Sequence, residues 1–204
     1  MGIKVHSGIK ALIFDLDGTL SNSLPVHLQT WNMLGDKYGF EFDPQIIHEM
    51  TGRPTIEFAR HVANRYELKE TPEQLVKMKQ QWFWDLSHLL EPVKEVMDIL
   101  KTYHKRIPVA VGTGASRKSA EVQLNALGII NDFDVIVSAD DVTRHKPHPE
   151  TFLRCAALMN VEPQHCQVFE DGDLGIEAAK DAGMIVTDVR PHINYGDWAI
   201  ISIK

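Results

Sequence analysis

The most informative stretch of the chain is Ala11-Leu12-Ile13-Phe14-Asp15-Leu16-Asp17-Gly18-Thr19-Leu20. Its first four residues form an apolar run typical of a buried strand, and two carboxylates separated by one residue follow at once. One carboxylate can act as a nucleophile and the other as a proton shuttle, and the pair also offers oxygen ligands to a hard cation such as Mg²⁺. A strand that ends in an ordinary Asp-Gly turn would carry the same residues for backbone reasons alone, so the rest of the chain has to decide.

Short apolar runs of the same kind recur along the chain and alternate with helical patterns. Further strands are predicted at residues 108–111, 133–137, 167–169 and 185–189. The alternation predicts an α/β fold, with a Rossmann-like parallel sheet as its core and helices on both faces.

A long insertion separates the first two predicted strands. It has helical patterns throughout, such as the apolar stripe within residues 27–38. Thr71-Pro72-Glu73-Gln74 has the form of a capping box and predicts a helix that continues to Leu89. We therefore expect residues 23–89 to form a helical cap over the carboxyl ends of the strands. The α/β catalytic core is then made of residues 1–22 and 90–204.

Charge and cysteine content narrow the class of protein. The 204 residues carry a formal net charge of -7, which gives no general attraction to nucleic acid or to an anionic membrane. The two cysteines, Cys155 and Cys166, lack zinc or redox-pair spacing, so we predict buried thiols. Without an apolar run of transmembrane length or a signal-peptide core, a cytoplasmic protein is expected, as a monomer or small homo-oligomer.

Polar residues follow three of the later predicted strands, where open α/β sheets bind their ligands. Gly112-Thr113-Gly114-Ala115-Ser116 offers a hydroxyl and backbone N–H groups to phosphate, although such residues also form ordinary turns and N-caps. Lys146, between His145 and Pro147, can neutralise a phosphate, but an isolated lysine is usually solvated. Glu170-Asp171 can add oxygen ligands for a Mg²⁺ held by Asp15, or can simply suit a helix dipole.

Together these segments resemble the four motifs of the haloacid dehalogenase-like phosphotransferase and hydrolase superfamily, in order and in spacing. The resemblance extends from Ile9 to about Val189. The insertion is similar to the helical cap of the β-phosphoglucomutase-like branch. Within that branch, residues 110–114 and 145–147 look most like small bacterial phosphatases of fructose-1-phosphate and related sugar phosphates.

The resemblance implies a role for each motif. Asp15 would attack the substrate phosphorus and become an aspartyl-phosphate, while Asp17 would protonate the departing sugar oxygen and later deprotonate water. Thr113, Gly114 and Lys146 would hold the phosphate. The implied Mg²⁺ ligands are Asp15, the backbone carbonyl of Asp17, Glu170 and Asp171.

Three residues of the insertion are candidate substrate contacts. His27 resembles a mutase histidine that assists the general acid, but it also lies on an apolar stripe, and both interpretations stay open. Arg53 sits in Thr51-Gly52-Arg53-Pro54-Thr55, which looks like the cap loop that faces substrate. The mutases carry their second-phosphate arginine where this chain has Thr55, and that departure weakens a mutase interpretation.

The sequence thus predicts a Mg²⁺-dependent phosphatase of small sugar monophosphates, of the fructose-1-phosphate or 6-phosphogluconate type. Its partner would be a small phosphorylated metabolite, with no nucleic acid and no membrane. One alternative is an isomerase, a β-phosphoglucomutase. Another is a catalytically weak binding protein that retains the fold.

Overall fold

The computed structural model describes residues 2–50 and 55–193. Within them the chain divides into two compact units, one made of residues 2–22 and 90–193 and the other of residues 23–89. No helix in the described ranges is long and apolar enough to cross a membrane.

The secondary structure alternates in the first unit and is helical in the second. The strands are β1 (Ala11–Phe14), β2 (Ser21–Asn22), β3 (Glu91–Pro92), β4 (Val109–Gly112), β5 (Val135–Val137), β6 (Cys166–Glu170) and β7 (Ile185–Asp188). The helices are α1 (Leu24–Tyr38), α2 (Gln45–Met50), α3 (Thr55–Arg65), α4 (Pro72–Asp85), α5 (Lys94–Tyr103), α6 (Arg117–Ala126), α7 (Glu150–Leu158) and α8 (Asp173–Asp181).

Among the described residues, five parallel strands form the main sheet in the order β5-β4-β1-β6-β7. All four residues of the central strand β1 are fully buried, which is why they form a continuous apolar run instead of an alternating one. Phe14 pairs with Val111 on one side and with Phe169 on the other. The predicted α/β fold is confirmed, and the strands deliver their carboxyl ends to one edge of the sheet.

Alternate residues of β1 enter two separate hydrophobic cores. Ala11 and Ile13 pack with α7 and α8 on one face, whereas Leu12 and Phe14 pack with α5 and α6 on the other. Helices therefore cover both faces, as the alternation of patterns predicts. Both cysteines lie in the first core as free, buried thiols, and burial raises the pKa of Cys166 to about 11.

A short antiparallel ribbon joins the two places where the chain leaves the first unit and returns to it. Strand β2 pairs with β3 through Ser21 and Pro92, and the next N–H group, that of Val93, donates to the carbonyl of Leu20 at 2.9 Å. The chain thus leaves and re-enters the first unit through paired strands.

Residues 23–89 have a hydrophobic core of their own. Trp31 is buried and stacks on Phe58, with ring centroids 4.5 Å apart. The capping box at Thr71 is confirmed, with both reciprocal hydrogen bonds to Gln74. The prediction that this helix continues to Leu89 is wrong, because α4 ends at Asp85 in a tightened turn and Leu89 follows in a separate 3₁₀ segment, 46% exposed.

The Phe14 ring offers a test of how strongly the central strand is anchored. It is fully buried and stacks on Phe169, with ring centroids 4.9 Å apart. We expect Phe14→Ala to lower the free energy of unfolding by about 3–5 kcal/mol, because it removes a buried ring and leaves a cavity. Urea denaturation measures the change. Leu158→Ala, at a residue that is 58% exposed, is the control and should change stability by less than about 0.5 kcal/mol.

Candidate active site

Asp15 is the first residue beyond the central strand. Its N–H donates to the carbonyl of Phe169 at 3.0 Å, so its backbone extends the sheet by one position. The turn that follows is closed by the carbonyl of Leu16, which accepts from the N–H groups of the residues three, four and five positions later. Gly18 adopts a φ of 83°, a left-handed conformation that glycine takes without strain. The carboxylate of Asp15 is consequently fixed at the edge of the sheet, and it is almost completely buried.

Lys146 reaches this carboxylate from the segment after β5. Its Nζ atom lies 2.7 Å from Asp15 Oδ1 and 2.7 Å from Glu170 Oε1, and 4.7 Å from the centre of the Phe152 ring. Burial lowers the pKa of Lys146, but the charges of Asp15 and Glu170 outweigh burial and hold that pKa above its ordinary value. The lysine therefore stays charged next to the candidate nucleophile.

The segment that carries Lys146 is clamped on both sides. On the N-terminal side, Asp141 accepts hydrogen bonds from Ser138 and from Arg117, whose guanidinium also donates to the carbonyl of Ile136. On the C-terminal side, Glu150 accepts from the N–H of Thr143. These contacts tie the segment to α6, β5 and α7, which restricts the positions that the lysine can take.

Three carboxylates meet at this edge of the sheet. One oxygen each of Asp15, Glu170 and Asp171 lies within 4.8 Å of the others. Burial, and then the charge of Glu170, raise the pKa of Asp171 to about 7, although Thr19 donates to its Oδ1 at 2.9 Å. Burial likewise raises the pKa of Asp15 well above its usual value, against the opposing effect of Lys146. Crowded, oxygen-only and buried or half-buried, the three groups fit a hard divalent cation, which would relieve their repulsion.

Two glycines make room for these carboxylates. A Cβ atom at Gly175, on α8, would overlap with Oε1 of Glu170, and one at Gly18 would overlap with Oδ2 of Asp171. The Gly172 N–H donates to the other oxygen of Glu170. Gly175 and Thr19 carry no sequence signal of a place in the site, since their importance lies in contacts across the fold.

The neighbouring strand β4 ends at the segment that the sequence predicts to hold phosphate. Thr113 is buried and directly follows β4, whose Val111 pairs with Phe14, so Thr113 and Asp15 belong to adjacent strand ends. Its hydroxyl accepts from the N–H of Ala115 at 3.0 Å. Gly114 is exposed, and a Cβ atom there would meet nothing. The segment after β4 is thus open to solvent at Gly114.

The second aspartate of the motif has a neighbour that the sequence analysis did not identify. Gln123, buried on α6, donates from Nε2 to Oδ1 of Asp17 at 3.1 Å. In the sequence, Gln123 is only a polar residue beside the apolar stripe of a helix, and this pattern does not indicate a contact with Asp17.

Comparison with known proteins identifies the family. The family model described as haloacid dehalogenase-like hydrolase matches residues 12–189, which include every candidate residue of this site. The chain belongs to the haloacid dehalogenase-like hydrolases. It is therefore an enzyme, and the predicted superfamily resemblance is confirmed.

Relatives within this hydrolase family include named phosphatases. The chain is 41% identical to fructose-1-phosphate phosphatase YqaB of Escherichia coli K12, over 88% of this chain and 95% of that protein. It is 35% identical to validoxylamine A 7'-phosphate phosphatase of Streptomyces hygroscopicus subsp. limoneus, over 86% and 83%. A crystal structure of β-phosphoglucomutase from Clostridium difficile is 28% identical, with a TM-score of 0.73 over 87% of this chain and 83% of that one.

Of the three candidate substrate contacts, the structure describes His27 and Thr55. His27 stacks on Phe83 at 4.4 Å, and its Nδ1 atom lies 2.7 Å from Nζ of the buried Lys79. His27 thus makes the packing contact expected of an apolar stripe and also a polar contact, so both interpretations remain open. Thr55 begins α3 and is exposed, and Arg53 lies outside the described residues.

Replacing Gly175 tests the fit of Glu170 against α8. We expect Gly175→Ala to lower turnover by at least about tenfold, since its methyl group would push the Glu170 carboxylate off the helix and away from Lys146. Activity and metal affinity measure the effect. Lys180→Ala, at an exposed position of the same helix, is the matched control, and equal losses in both variants would contradict this explanation.

The crowded carboxylates predict an unusual dependence of stability on pH. Asp171 has a pKa of about 7 in the folded protein against 3.8 for an ordinary aspartate, so the folded state binds the extra proton between these values. When a chelator keeps the protein free of metal, the contribution of Asp171 to the free energy of unfolding should fall as pH rises from about 4 through 7. Added Mg²⁺ should then raise the melting temperature more at pH 8 than at pH 5.5, because the ion competes with the proton.

Calorimetry across this pH range measures both effects. Asp171→Asn, which cannot titrate at this position, is the comparison and should reduce the pH dependence of the Mg²⁺ effect, with Asp15 contributing the remainder. A Mg²⁺ effect of the same size at both pH values in the unmodified protein would contradict the interpretation.

Proposed function

We propose that this hydrolase is a cytoplasmic, Mg²⁺-dependent phosphatase that acts on small sugar monophosphates through an aspartyl-phosphate intermediate. The observation that carries the proposal is the placement of Asp15, a buried carboxylate at a strand end, held at 2.7 Å by Lys146 beside an acidic cluster. The 41% identity to a fructose-1-phosphate phosphatase over 95% of that protein supports the substrate class.

In the first half-reaction an Asp15 oxygen attacks the substrate phosphorus and forms the new P–O bond. The bond from phosphorus to the sugar oxygen breaks, and the departing oxygen takes a proton from Asp17. The products of this step are the free sugar, phosphorylated Asp15 and the Asp17 carboxylate.

Catalysis of such a transfer otherwise depends mainly on stabilising the charge of the phosphoryl group in the transition state. Lys146 is positioned to neutralise the phosphoryl oxygens and to keep Asp15 in line for attack. The Thr113 hydroxyl and the N–H groups after β4 are further donors at the edge of the sheet.

Asp15, Glu170 and Asp171 would hold the Mg²⁺ ion with the backbone carbonyl of Asp17, and the ion would supply positive charge to the transferring phosphoryl group. Without that charge, the described residues set only the Lys146 ammonium against the three carboxylates and the incoming phosphate. The proposal therefore requires that activity depend on a divalent cation.

In the second half-reaction water attacks the phosphorus of phosphorylated Asp15. Asp17, now a carboxylate, takes a proton from this water as the new bond forms and the bond to Asp15 breaks. Inorganic phosphate leaves, Asp15 is restored, and Asp17 is protonated again for the next cycle.

Specificity is proposed to come from residues 23–89, with His27, Arg53 and Thr55 as substrate contacts. These residues would recognise the sugar and exclude water while the first half-reaction proceeds. Threonine at position 55, where the mutases have an arginine, offers no positive charge for a second phosphate. That difference favours hydrolysis of a monophosphate over the mutase reaction.

A substrate panel tests the proposal. Phosphate release from fructose-1-phosphate, 6-phosphogluconate and β-glucose-1-phosphate is measured with and without Mg²⁺. We expect release to require Mg²⁺ and Asp15→Asn to lower it on the order of 10³-fold or more, because the amide is not a nucleophile. Asp173→Asn is the control, since this carboxylate is 85% exposed and pairs with Arg190.

Two other outcomes point to the alternative functions. A requirement for a bisphosphate activator, with little net release of phosphate, identifies a mutase. Tight binding of sugar phosphates without turnover of any panel member identifies a catalytically weak binding protein.

A further inference from the structure

We propose that Gln123 is a positioning residue that orients the Asp17 carboxylate for proton transfer. This inference rests on the proposed function, because it concerns the group that would protonate the departing sugar oxygen. Gln123 lies 106 residues away from Asp17 in sequence, on the helix after β4, and none of the four family motifs includes it.

The contact joins a buried amide to a carboxylate. Gln123 is 1% exposed, and its Nε2 atom lies 3.1 Å from Oδ1 of Asp17. Its Oε1 atom is also buried and has no hydrogen-bond partner among the described residues. Turning the amide round would place Oε1 against Oδ1, two acceptors facing each other, so the orientation with nitrogen towards Asp17 is the favourable one.

Fold stability alone does not explain a glutamine at this position. Its neighbours Ala120 and Leu124, on the same side of α6, are fully buried and pack in the hydrophobic core that covers Leu12 and Phe14. An unbranched apolar side chain would fill similar space without burying an unpaired carbonyl oxygen. The amide therefore carries the cost of a buried, unpaired oxygen at this position, and the contact that it makes is the one with Asp17.

The hydrogen bond gives the two oxygens of Asp17 different roles. Oδ1 faces an N–H donor, so it can accept a hydrogen bond but is a poor place for a proton. Oδ2 is then the atom that gives its proton to the sugar oxygen and later takes one from water. Fixing the carboxylate in this way keeps the same oxygen in position during both half-reactions.

Gln123→Met removes the amide and keeps the length of the side chain. We expect it to leave the melting temperature unchanged or to raise it, and to lower kcat/KM for the best sugar monophosphate by about 10- to 100-fold. For p-nitrophenyl phosphate, whose leaving oxygen needs no proton, the loss should be less than about threefold. The parameter kcat/KM is the appropriate one, since it reports the steps up to release of the first product.

Leu124→Met is the matched control, because it changes the packing of the adjacent buried residue without removing a donor to Asp17. It should affect both substrates equally and only slightly. A purely structural role for Gln123 predicts that Gln123→Met lowers stability and reduces kcat/KM equally for the two substrates. That pattern, an unchanged kcat/KM, or a faster variant would each overturn the proposal.

Crystal structures of the unmodified protein and of Gln123→Met give a test that does not depend on turnover. We expect the Asp17 carboxylate to rotate when the amide is absent, and an unchanged carboxylate would overturn the proposal. Failure of the proposed function is recognised separately, because the unmodified protein would then release no phosphate from any substrate. The orientation of Asp17 in the two structures would still decide the role of Gln123.

Discussion

Three carboxylates and one ammonium group lie together, buried or half-buried, at the carboxyl end of the central strand, and this imbalance of charge dominates that edge of the sheet. Lys146 bonds to Asp15 and Glu170 at once and keeps its own charge as a result. Asp171 accepts a hydrogen bond from the Thr19 hydroxyl, and its pKa is raised. A negatively charged site of this kind binds a cation readily, and with the cation it can accept the anionic phosphate of a substrate.

The surrounding structure holds these groups in place against their repulsion. The central strand is paired on both sides and buried on both faces, and these contacts restrict its movement. The segment that carries Lys146 is tied to α6 and α7 through Arg117 and Glu150. Gly175 and Gly18 bring backbone close to the carboxylates, so that Glu170 and Asp171 lie in spaces that a methyl group would fill. Such a preorganised site spends little energy on rearrangement when charge shifts during the reaction.

Sequence alone predicts the parts of this arrangement that depend on local patterns. Strand β1 was predictable because four apolar residues precede a turn, and the start of α4 because Thr71 and Gln74 satisfy each other within one turn. The end of α4 was not predictable, since apolar spacing continues through the tightened turn after Asp85. Gly175 and Gln123 were equally hidden, because each acts through a contact with a residue that is distant in the chain.

The paired strands β2 and β3 bring the two ends of the insertion together, with Asn22 opposite Glu91. The loop that they close is long, but the entropic cost of closing a loop grows only slowly, by about 0.6 kcal/mol for each doubling of its length. Once β2 and β3 are paired, the two segments of the first unit are held together at this point, whatever residues are inserted between them. Insertions of very different length can therefore be accommodated at this point of the fold during evolution, while the sheet and the carboxylates at its edge are retained.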